Sequence, residues 1–192
     1  IPIAATLLGK SVVSEVHPLF AGIYEGAMGR EAVRRFVEES DCLILLGAFM
    51  TDIDMGGFTA HLDQGRCIDA TAERLRIRYH RYEDVLFADF LRGLTKVRRK
   101  GPCRPIPPRE AGEGGDFRVR PDAPVTVRRM FRRLNTFLAD DMVVIADPGD
   151  AMFGAADLTI HRRTEFVSPA YYASMGFAIP AALGAQLANP RL

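Results

Sequence analysis

Tryptophan is absent and cysteine is scarce: the 192 residues hold three, Cys42, Cys67 and Cys103. An odd count with no Cys-x-x-Cys spacing argues against a disulfide framework and a zinc site. It points to a reducing, cytoplasmic compartment. Neither charge is in excess, with 25 Lys and Arg against 24 Asp and Glu. Proteins that hold nucleic acid or anionic lipid carry a basic surplus, so neither partner is expected. No run reaches the ~20 apolar residues of a membrane span. The first residues lack the basic start and long apolar core of a secretory leader. His17, His61, His80 and His161 share no ligand spacing with acids or cysteines, so no metal site is expected on this chain. No Gly-x-Ser-x-Gly element is present, and Gly9-Lys10-Ser11 lacks the upstream glycine of a phosphate-binding loop.

What is present is enough apolar content for a core, 48% of residues. Ile1–Leu8 is an apolar run ending at Gly9-Lys10, the pattern of a buried strand and turn. Ser11–Gly29 reads as a loop. Arg30–Ser40 sets Val33, Phe36 and Val37 on one helical face. Asp41–Gly47 is the clearest strand of the first half, and Ala48–Ala60 reads as a loop broken at Gly56-Gly57. Gly65–Ala70 and Arg76–Tyr79 are further short strands. Val85–Leu94 is an amphipathic helix with Asp84 as its cap. Strands alternating with helices predict an α/β fold with a parallel, doubly wound sheet.

Residues 95–124 differ in kind, with six prolines, four glycines and little apolar content, and read as a linker. Its basic residues, Arg98, Arg99, Lys100, Arg104 and Arg109, suit either an anion or plain solvation, and solvation is the commoner use. The α/β pattern then restarts. Thr126 caps a helix to Leu138, and Val143–Ala146 is a strand buried on both faces. Glu165–Val167 is another short strand, and Pro169–Leu187 a small-residue helix kinked near Pro180. Ligands of parallel sheets bind beyond the carboxyl ends of strands. That singles out the turn Asp147-Pro148-Gly149-Asp150. A surface turn capping the next helix is the plain alternative, and Met175 is, by itself, most simply a core residue.

Two segments resemble one family. The first runs from Leu7-Leu8-Gly9-Lys10 through His17-Pro18-Leu19-Phe20 to Asp41–Gly47. The second is Ile145–Phe153 with Ser168–Ala182. Together they are similar to the thiamine-diphosphate-dependent 2-oxo acid decarboxylases, on the pyruvate, indolepyruvate and phenylpyruvate branch. The resemblance implies an incomplete central domain over residues 1–94 and the start of the pyrophosphate-binding domain over 125–192. It implies thiamine diphosphate and Mg²⁺ as cofactors, a small 2-oxo acid as substrate, an aldehyde as product, and a homodimer or homotetramer. It places Asp147, Gly149 and Asp150 near the cofactor, Gly149 closest to the diphosphate. It gives the Ala173 carbonyl a hydrogen bond from the aminopyrimidine, sets Ser174 beside it, and makes Met175 the apolar prop that bends the cofactor. Some relatives carry a flavin or nucleotide near Gly47 and the 50–57 loop; none is expected here.

The family's Gly-Asp-Gly metal motif and its catalytic glutamate find no match in these residues. Ile1 stands inside an apolar run and Leu192 follows a helix, so the chain reads as a piece of a longer polypeptide or a trimmed one. Alone, it is expected to lack decarboxylase activity. Two other readings stand beside the decarboxylase: a non-catalytic nucleotide-binding or assembly pair, and an acetolactate-type carboligase.

Overall fold

The computed structural model describes residues 1–97, 101, 104–108, 117–161 and 165–191. Its first unit is a parallel pair, β1 (Ile3–Thr6) and β2 (Phe20–Tyr24), in the register Ala4 to Gly22 and Thr6 to Tyr24. Helix α1 (Glu31–Glu38) packs on β2 through Val33 and Val37, which lie one turn apart and are buried. The two elements touch closely at Gly22, where a Cβ would come within 2.7 Å of Val33 Cγ2.

A second sheet runs β3 (Leu43–Leu46), β4 (Cys67–Ala70), β5 (Arg74–Ile77), β6 (His80–Glu83), and helix α2 (Phe87–Leu94) follows it. β3 and β4 are parallel; β4, β5 and β6 form an antiparallel meander. After the linker, α3 (Val127–Phe137) leads to β7 (Val143–Ile145), α4 (Asp150–Ala155), β8 (Glu165–Val167) and α5 (Ala178–Ala188). β7 and β8 pair in parallel, Val144 opposite Phe166.

The expected α/β class and parallel pairing are found, but distributed, among the described residues, over three small sheets, with hairpins replacing the βαβ connections after β4. Such hairpins need only a few connecting residues, and 71–73 and 78–79 supply no more. Four local expectations are corrected. Ser11–Gly29 is not all loop, because it contains β2, every residue of which is buried. Asp84 does not cap α2: it has φ +57°, and the helix begins after Leu86 with no side-chain cap. Pro180 makes no kink, since it lies in the first turn of α5, where its missing N–H costs nothing. The stretch before α5 is a turn. Thr126, by contrast, does cap α3, its Oγ1 accepting the Arg129 N–H at 3.2 Å.

In the linker, Arg104 donates to Glu39 at 2.8 Å and lies over the Phe36 ring, pinning that segment to α1. Arg98–Lys100, Pro102, Cys103, Arg109 and the glycines at 112, 114 and 115 lie outside the described residues.

The largest apolar cluster is shared by the two ends of the chain. Leu7, Phe20 and Ile23 from the first pair meet Ala146, Met152, Leu158, Ile160 and Phe166 from the last. Beside it lies a buried charge. Lys10, 3% exposed, pairs with Glu15 at 2.7 Å and donates to the carbonyls of Ala156 and Leu158 at 3.0 and 2.7 Å. Glu15 in turn accepts the Ile160 N–H. Burial pulls the Lys10 ammonium below its ordinary pKa, opposed by Glu15. Three donor sites filled by three acceptors make the buried ammonium tolerable.

Candidate functional site

The candidate turn begins where β7 leaves the core. Ala146 is buried, and the next residue, Asp147, turns back toward the chain 30 residues on. Its Oδ2 accepts the Gly176 N–H and its Oδ1 accepts the Ala178 N–H, both at 2.9 Å. Those hydrogen bonds, Ala178 first, hold its pKa below the ordinary carboxylate value. Ala178 is the first residue of α5, and the preceding Phe177 supplies no side-chain cap. Asp147 is therefore the cap of α5, donated from a different segment. The sequence reading of a turn acid capping its own following helix placed this bond on the wrong element.

Gly149 precedes α4 with φ +93° and ψ −152°, a conformation open in practice only to glycine. A Cβ there would meet nothing within 4 Å, so bare backbone faces open space. Asp150 opens α4 and is exposed. Across the Asp147 bridge, Ala173 takes φ +49° and donates its N–H to the Pro169 carbonyl at 2.8 Å. Ser174 is exposed, and Met175 is 86% exposed, an apolar side chain held out from the core. Gly176 follows at φ +83°, again with open space beside it. The bridge thus joins the 147–150 turn to the 173–176 turn, bringing Asp147 beside Met175 in the chain of contacts.

The 173–176 turn is also braced from the first half. Phe49, in the loop after β3, meets the Tyr171 ring edge-on at 5.1 Å, and Tyr171 lies against Tyr172 at 4.3 Å. Sequence reasoning missed Phe49, which lies in no motif, and passed over Tyr171 within the Ser168–Ala182 segment; aromatics next to a small-residue turn were the available signal.

Two turns with bare backbone, an ionised carboxylate bridge and an outward apolar side chain form a surface suited to a ligand with anionic and aromatic parts. Gly149 and Gly176 leave open space where side chains would stand, and Met175 offers a flexible, polarizable contact to rings. The residues present fit thiamine diphosphate in this sense. Among the described residues no group of three or more His, Cys, Asp or Glu could hold a metal ion, and no helix is long and apolar enough to cross a membrane. His17 is a local device: its Nδ1 accepts the Leu19 N–H at 3.1 Å.

Residues 1–91 match the family model described as thiamine pyrophosphate enzyme, central domain. Residues 147–192 match that for the thiamine pyrophosphate enzyme, C-terminal TPP binding domain. An alpha-keto-acid decarboxylase of Mycobacterium ulcerans is 32% identical over 199 residues, covering 99% of this chain and 34% of the relative. One from Mycobacterium avium is 31% identical over 194 residues, with the same coverage. A pyruvate decarboxylase of Aspergillus fumigatus is 28% identical over 188 residues, covering 98% of this chain and 33% of the relative. The chain spans about a third of the length of these curated relatives. With both family models matched in order, on either side of the linker, the chain belongs to the thiamine pyrophosphate enzymes.

Proposed function

We propose that the protein carrying this chain decarboxylates a small 2-oxo acid to an aldehyde, with thiamine diphosphate and Mg²⁺. The observation that carries this reading is the Asp147 bridge, which ties the Gly149 turn to the Met175 turn inside the segment matched to the TPP binding domain. The relatives' names, alpha-keto-acid decarboxylase and pyruvate decarboxylase, supply the reaction class.

When bound, thiamine diphosphate supplies the electron sink that decarboxylation requires. This chain's residues bind and orient. The Gly149 backbone takes the diphosphate end, with Asp150 beside it. The Ala173 carbonyl accepts from the aminopyrimidine, Ser174 flanks it, and Met175 packs against the rings. Asp147 lies near the cofactor and also positions, fixing the Gly176 backbone and so the place of Met175. Mg²⁺ takes oxygen ligands other than those described here. Residues 1–94 act as the central domain, 95–124 as the linker and 125–192 as the start of the cofactor domain. The working form is a cytoplasmic homo-oligomer, and the 192 residues by themselves are inactive.

The test is calorimetric titration of the complete protein with thiamine diphosphate and Mg²⁺, followed by product analysis with pyruvate. Saturable binding and acetaldehyde support the reading. Asp147→Ala removes two charge-assisted bonds from the Met175 turn and weakens cofactor binding about tenfold. Saturation by an adenine nucleotide with no response to thiamine diphosphate sinks it. A longer keto acid as product assigns the protein to the acetolactate-type carboligases instead.

A further inference from the structure

A cavity of about 210 Å³ lies away from the Asp147 turn, between the exit of β2 and the carboxyl end of α4. Its walls come from both ends of the chain: Glu15, Ile23, Glu25 and Arg30 on one side, Phe153 and Asp157 on the other. Glu25 is the first residue past β2, at the carboxyl end of a parallel strand, where α/β sheets place their ligands. It is 7% exposed, and its Oε1 is buried without a hydrogen-bond partner among the described residues. A carboxyl oxygen in that state costs free energy unless something arrives to satisfy it.

The charges around Glu25 are unequal. Carboxyl groups number four (Glu15, Glu25, Asp54, Asp157) against two cations (Lys10, Arg30). Lys10 is already committed to Glu15 and two carbonyls. Asp54, fully buried, accepts from the Leu8 N–H and from Thr51. The Asp157 wall is fixed rather than loose. Asn135 on α3 donates to the Asp157 carbonyl at 3.1 Å and accepts the Thr159 N–H at 2.7 Å. Arg30 also lines the cavity, but Glu25 Oε1 accepts no hydrogen bond from it or from any other described residue.

We propose that this cavity is a binding site for a small organic cation, a primary ammonium on a short apolar stem, with Glu25 as its principal partner. The ammonium donates to the Glu25 carboxylate, and the field of Asp157 adds to its attraction. The stem lies against Ile23 and Phe153. The volume is below the ~300–1,000 Å³ of sites for drug-sized ligands, which excludes a nucleotide. Burial and Asp157 push the Glu25 pKa up to about 7. Near neutrality the empty site is therefore half protonated, and the arriving cation displaces that proton to solvent.

The probe is n-propylammonium chloride, with propan-1-ol as the neutral control, titrated calorimetrically into the complete protein at pH 6 and pH 8. Expected is saturable binding of propylammonium only, about tenfold tighter at pH 8 because one proton no longer competes. Glu25→Gln, close to isosteric, should lose at least about tenfold in affinity at pH 8. Asp157→Asn changes an exposed side chain, and should weaken binding and move its pH midpoint down. The proposal is overturned if neither compound saturates and the cavity holds water alone. It is equally overturned if propanol binds as well as propylammonium, or if Glu25→Gln binds it as wild type does. Thiamine diphosphate titration of the same samples separates this result from the fate of the proposed activity.

Discussion

At the scale of single residues, two carboxylates are driven in opposite directions by their surroundings. Asp147 accepts backbone N–H groups and is held ionised; Glu25 is desolvated and held partly protonated. The second has a consequence for stability. Free in an unfolded chain, Glu25 titrates near its ordinary 4.5; folded, it titrates near 7. Between those values the native state keeps a proton that the unfolded state has released. Stability therefore falls as pH rises across that window, by up to roughly 3 kcal/mol in the absence of a cation. Urea unfolding of wild type and Glu25→Gln at pH 5 and 7.5 should show the decline in the first and not in the second. Equal slopes would mean that Glu25 is hydrated.

At the scale of elements, α4 is seated by an absent side chain. A Cβ on Gly154 would stand 2.2 Å from the Phe131 ring of α3, so the ring occupies the place a side chain would take. Gly154→Ala should destabilise by about 1–3 kcal/mol in thermal or urea unfolding, and Phe131→Leu in the same chain should recover part of that loss. Elements were legible where one face carried the signal. α1 shows Val33 and Val37 one turn apart, and α3 starts at Thr126 with its hydroxyl in place. β2 was not legible, because all five residues are buried and Gly22 interrupts any alternation. The candidate turn was legible as a strand exit followed by acids and glycine. Its bond to α5 was not, because a carboxylate that caps a helix 31 residues away leaves no local pattern.

At the scale of the molecule, α5 is the element least accounted for within this chain. Its sequence, AIPAALGAQLA, is apolar on every side, a composition suited to full burial. Yet Ile179, Leu183 and Leu187, spaced four apart, are all exposed. If the proposed homo-oligomer forms, that row is its expected contact ridge. Sedimentation velocity of the complete protein should show an oligomer that Leu183→Lys dissociates, with weaker thiamine diphosphate binding in the variant. An unchanged sedimentation coefficient would place the ridge elsewhere, against the protein's own remaining chain.

The buried Lys10 also bears on the order in which the protein is made. Its partners Ala156 and Leu158 follow it by 146 and 148 residues. At the ~5–20 residues per second of translation, that gap is roughly 7–30 seconds. Throughout it, the first strands exist without the carbonyls that take up their ammonium and without the apolar residues that close their core. The amino-terminal half thus waits, wet and unsealed, for the ribosome to deliver its lid.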